Sequence, residues 1–124
     1  MISAGETFVW RGNARREHLY IAMNDSDQTG GKIAVLNLTE SVGGAASFVL
    51  KAKCHSYIYK DSDVNFGDAF IADESLLREE IKRRSAIPHD PMDLKILREI
   101  AERAVKHPAV AGEVKNMIKA HWRL

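Results

Sequence analysis

The chain contains a single cysteine and only three prolines. One thiol, Cys54, cannot close an internal disulfide. That excludes the disulfide-stapled class of small secreted domains. No run approaches the roughly twenty apolar residues of a membrane span. The start, MISAGETFVW, lacks the basic region and long apolar stretch of a signal peptide. A cytoplasmic location with no membrane partner is expected. The phosphate-binding GxxxxGK and GxGxxG patterns are missing, as are HExxH, CxxC and GxSxG. Nucleotide-dependent catalysis and metal hydrolysis therefore lose their usual supports, and neither a cofactor nor a metal site is expected. A dominant charge is missing too, since the net charge is +1. Residues 1–73 hold seven basic and nine acidic side chains, and residues 74–124 hold eleven and eight. This tilt permits a nucleic-acid partner without demanding one.

What is present is a chain of 124 residues, the size of one domain and long enough to bury a core without staples. The pattern divides it into a β part, 1–73, and a helical part, 74–124. ETFVWR reads as a first strand. HLYIAM is a second, with Leu19, Ile21 and Met23 on one face and His18, Tyr20 and Ala22 on the other. NDSDQTGGK is a turn. KIAVLNLT is apolar on both faces, which predicts a central strand. ESVGGAA reads as a loop and SFVLKA as a fourth strand. DVNF and DAFIAD, broken near Gly67, give one or two more. The spacing predicts an α+β protein whose short strands form a small antiparallel barrel or a strongly bent sheet.

From Asp73 the periodicity turns helical. DESLLREEIKRR carries Leu76, Leu77 and Ile81. HDPMD is a start signal, with Asp90 as cap, Pro91 at the first helical position and Asp93 favouring the positive end of the dipole. The next stripe is Leu94, Leu97, Ala101, Ala104 and Val105. Beyond Pro108 comes another, of Val110, Val114, Met117, Ile118 and Trp122. These stripes pack on the sheet or on each other, or one of them meets a second protein chain.

The residues able to carry chemistry lie in the β part. His18 begins the second strand. Asn37 and Thr39 end the third and point the same way. His55, Tyr57 and Tyr59 share a face if KAKCHSYIYKD is extended. Arg11, Arg15, Arg16, Lys51 and Lys53 are near them in sequence. Two histidines, a cation and a hydroxyl suffice to cut RNA without a metal. One group takes the 2′-hydroxyl proton, another protonates the leaving oxygen, and the cation steadies the charged phosphorus centre. The plainer reading gives each residue a structural task. A strand-end His faces solvent, Thr39 closes a turn, the tyrosines are strand formers, and Cys54 is a small buried hydrophobe.

The succession GETFVW, HLYIAMND, a glycine turn and IAVLNLTES resembles the PemK/MazF toxin superfamily over about residues 4–73. That resemblance implies an SH3-like barrel and metal-independent endoribonuclease activity on single-stranded RNA. It also implies a homodimer and control by a protein antitoxin. Arg16 then falls near the toxins' arginine and Thr39 in their third-strand end. With His18 and His55 from the residue pattern they are the catalytic candidates, and Lys53, Tyr57 and Tyr59, from the same pattern, the substrate-binding ones. The toxins' Arg-Pro pair before the second strand is here REHLYI, without the proline. The chain also resembles small bacterial proteins with a His…Leu-Thr…His…Ser…Val layout, matched by His18, Thr39, His55, Ser62 and Val64. The alternative to the nuclease is a non-catalytic SH3-like barrel that binds a protein or nucleic acid through the same face. A third reading is an adaptor whose helices do the binding.

Overall fold

The computed structural model describes residues 1–12, 16–40 and 48–124. Arg15, most of the ESVGGAA loop and the first residue of SFVLKA lie outside them. The strands are β1 (Thr7–Trp10), β2 (His18–Ala22), β3 (Lys32–Glu40), β4 (Val49–Leu50), β5 (Ser62–Asp73) and β6 (Ile87–His89). The helices are α1 (Glu74–Lys82), α2 (Leu94–Ala104) and α3 (Gly112–Trp122). One antiparallel sheet runs β4-β5-β3-β2-β1-β6.

The alternation in β2 appears as expected. Leu19, Ile21 and Met23 join one apolar cluster, and Tyr20 and Ala22 the other. In β3, Ala34, Leu36 and Leu38 face the first cluster, and Ile33 and Val35 the second. Helices explain why both faces are apolar. α2 and α3 bring Leu97, Ile100, Ala101, Val114 and Ile118 to the first face, and α1 brings Leu77 to the second. With cover from both sides the sheet need not close on itself. The small barrel is therefore corrected to an open, curled half-barrel, nearer the strongly bent sheet that the spacing also allowed, and its outer strands β4 and β6 do not pair.

Of the one or two strands expected around Gly67, the structure has one, β5. Val35 faces Phe70 and Asn37 faces Asn65, so residues 66–69 of β5 stand against Leu36 alone. This bulge, at Gly67, supplies the bend that the sequence signals as a break. SFVLKA shrinks to the two residues of β4. The helical part contributes a strand of its own, β6, which pairs with β1.

α2 starts later than the Asp90-Pro91 signal suggests. Met92 is buried and its N–H donates to the Gly5 carbonyl at 2.8 Å. Asp93 is the cap, its carboxylate accepting from the Lys95 and Ile96 N–H groups at 3.1 Å each. The shift turns Leu94 outward, 71% exposed, and brings Ile100 fully inside. In α1, Leu76 is likewise exposed and only Leu77 is buried.

Glu74, at the start of α1, ties that helix to the N-terminal segment. Its Oε1 accepts from the Ser26 hydroxyl and from the Ile2 N–H at 2.8 Å, with the Met1 ammonium 3.4 Å away. These partners, the Ser26 hydroxyl foremost, pull the carboxyl from 4.5 to about 2. A depressed pKa contributes stability that is complete above the unfolded value and is lost as pH falls through the folded one. Glu74→Gln should therefore be less stable than the parent at pH 7, and the gap should narrow from pH 4.5 down to about 2. Urea titrations at both ends of that window check it. A gap that does not change with pH would remove the carboxylate from the account.

Candidate ligand groove

The β2–β3 ladder runs from Ala22↔Val35 to Tyr20↔Asn37 and stops. Both strands continue beyond that point with other partners. His18 pairs with Trp10 of β1, and Thr39 and Glu40 pair with Asp63 and Ser62 of β5. β2 and β3 therefore diverge, and a groove of about 180 Å³ opens between them. Glu17, His18 and Leu19 form one wall, and Leu38, Thr39 and Glu40 the other. Tyr57, Ile58, Tyr59, Lys60 and Ser62 close the back.

Apart from Ser62, which opens β5, that back wall comes from KAKCHSYIYKD, which is not a strand. Lys53 is in the left-handed region, with φ 70°. The Lys53 N–H donates to the Ile58 carbonyl at 2.6 Å, and the Ile58 N–H to the His55 carbonyl at 2.9 Å. The Asp61 carboxylate closes the loop by accepting from the Ala52 N–H at 2.9 Å, with the Lys51 ammonium 3.4 Å away. The Ala52 bond is the chief cause holding Asp61 below its ordinary pKa. Ile58 is buried in the core and anchors the loop.

The extended face of His55, Tyr57 and Tyr59 is thus corrected, because a loop this tight sends the three side chains different ways. His55 is buried. Its Nε2 faces the Asp90 carbonyl, with the Thr7 hydroxyl at 3.3 Å, and its Nδ1 accepts from the Tyr57 N–H at 3.0 Å. A carbonyl only accepts and an amide N–H only donates. These partners therefore require the neutral tautomer protonated at Nε2, and both ring nitrogens are engaged. Tyr57 stands at the surface against the His89 ring, centroids 4.9 Å apart, and Tyr59 is 76% exposed.

Of the candidates drawn from sequence, the groove gathers His18, Thr39, Tyr57 and Tyr59. Arg16 and Lys53 are exposed and do not line it, and neither does His55. Asn37, on the face of Thr39, is fully buried and donates its amide to the Tyr20 phenol at 3.3 Å. Cys54 is half-buried against the main core, and burial raises its thiol above the ordinary 9.0. A thiol so placed is a poor nucleophile.

Sequence reasoning missed Glu17, Glu40 and Lys60. Alternation selects every second residue, but where two strands part both edges open and consecutive residues line the gap. Glu40 and Lys60 form an ion pair across the mouth at 3.1 Å, and the bond to Glu40 raises the Lys60 pKa. Among the described residues no cluster of three or more His, Cys, Asp or Glu side chains is placed to hold a metal ion. No helix among them is long and apolar enough to cross a membrane. Comparison with protein-family models, with curated proteins and with solved structures returns no match to this chain.

Proposed function

We propose that the chain is a non-catalytic, SH3-like half-barrel that binds a partner in the groove between β2 and β3. The state of the two histidines carries the reading. Metal-free RNA cleavage by a histidine pair needs both imidazoles at one phosphate, each free to exchange a proton. His55 is buried outside the groove with both nitrogens bonded within the protein. His18 lines the groove and, like Thr39, makes no side-chain hydrogen bond among the described residues. Unengaged polar groups around an apolar floor suit recognition, because they fix a ligand's orientation while the floor supplies contact.

Single-stranded RNA incubated with the chain in EDTA should be recovered intact. One observation favours the toxin-like endoribonuclease instead: the carboxylates of Glu17 and Glu40 share the groove with His18, and a carboxylate with an imidazole also makes an acid–base pair. Cleavage by the parent that disappears in His18→Ala would overturn the binding reading in favour of that one.

A further inference from the structure

We infer that the groove receives an arginine side chain presented by an extended segment of another protein. The inference rests on the binding-module reading and names the partner's chemistry. The floor is apolar, formed by Leu19, Leu38 and Ile58, each no more than 5% exposed. Such a floor suits the aliphatic stem of a long side chain whose charged head stays near water. A volume of about 180 Å³ admits one such side chain, well short of the several hundred cubic ångströms of a drug-sized site.

The charges select the head group. Glu17 is exposed and makes no ion pair or hydrogen bond among the described residues. Glu40 lies on the opposite wall, and its one side-chain partner among the described residues is Lys60, with both partners 60% exposed or more. An ion pair that exposed opens at little cost. Two carboxylates against one ammonium make the lining net acidic. This opposes a phosphate chain, since nucleic-acid grooves gather cations along the backbone. Arg16, the nearest cation in sequence to His18, stays out of the groove. The tyrosines decide between the two basic side chains. A planar guanidinium stacks on an aromatic ring and offers a forked donor to a carboxylate, whereas an ammonium is a compact, strongly hydrated point charge. Tyr59 is largely exposed at the groove, with the exposed Lys60 ammonium 5.9 Å from its ring centre as a loose occupant that a stacked guanidinium would displace. The segment is extended because the end of the β2–β3 ladder leaves two strand edges facing the groove, and a chain entering there meets them lengthwise.

The test titrates three probes into the ¹⁵N-labelled full chain: the capped tripeptides Ac-Val-Arg-Val-NH₂ and Ac-Val-Glu-Val-NH₂, and hexauridylate. The arginine peptide should produce saturable shifts in the amides of residues 17–19, 38–40 and 57–60. Glu17→Gln, a surface change that leaves the fold intact, should weaken that binding roughly tenfold, the usual scale for losing a charged hydrogen bond. Equal shifts with the glutamate peptide would overturn the arginine assignment and leave the groove a binding site. So would hexauridylate moving these amides in place of the arginine peptide, which would make the partner a nucleic acid. If no probe moves them, the arginine assignment and the binding-module reading fail together.

Discussion

His55→Ala should lower the midpoint of thermal unfolding by roughly ten degrees. The imidazole joins three parts of the chain: β1 through Thr7, the segment before α2 through the Asp90 carbonyl, and its own loop through the Tyr57 N–H. Alanine removes a donor and an acceptor together. The Asp90 carbonyl keeps the Thr7 hydroxyl as a donor, but the Tyr57 N–H loses its acceptor and the packing of the buried ring is lost. An unsatisfied polar group costs about 1–3 kcal/mol, and together the losses come to about 3 kcal/mol. For a chain of this length each kcal/mol shifts the midpoint by about 4 °C. Scanning calorimetry reads the change directly. A midpoint within about two degrees of the parent's would show that the clamp carries little and that His55 was freer than its bonds indicate.

Ile118→Ala should be at least as damaging, at about 2–5 kcal/mol. Ile118 is fully buried in α3, within the cluster that joins both C-terminal helices to the sheet. The prediction discriminates between two uses of the helical stripes. If α3 saved its apolar side for another chain, truncating Ile118 would leave the isolated protein almost as stable as before. Leu94→Ala is the control. Leu94 sits on the neighbouring helix at 71% exposure, and surface changes of that kind stay within about 0.5 kcal/mol. Urea denaturation of the three proteins side by side measures both. Equal stability of Ile118→Ala and Leu94→Ala would refute the packing described here.

β1, β2 and β3 were legible in the sequence because each is a run of apolar and aromatic strand formers, whose alternate side chains fill the two clusters on either face of the sheet. The apolar sides of α2 and α3 were legible from their helical spacing. What could not be read depends on partners distant in sequence. His55 looked like a strand residue because Tyr57, Ile58 and Tyr59 around it favour strands. Its environment is set by Asp90, 35 residues later, and Thr7, 48 earlier. The start of α2 was misjudged by three residues because the Met92–Gly5 bond holds the chain extended past Pro91. β6 is three exposed residues with a proline at the centre, a pattern carrying no strand signal. In the groove, His18 and Thr39 were found by residue type. Glu17 and Glu40 were not, since nothing local reveals that two adjacent strands cease to pair.

Pro88, at the centre of β6, also shapes how copies of this protein meet one another. It faces Phe8 across the β1–β6 ladder. A proline donates no hydrogen bond, so the pairs on either side, Thr7↔His89 and Val9↔Ile87, carry the bonds to β1. The missing donor then points outward, along the free margin of the sheet. At the opposite margin β4 is two residues long. A sheet grows into a fibril by adding strands to an open edge that offers a continuous row of donors and acceptors. Here one margin is interrupted and the other is too short, so an open half-barrel carrying a row of apolar strands is guarded against edge-to-edge aggregation without closing into a ring.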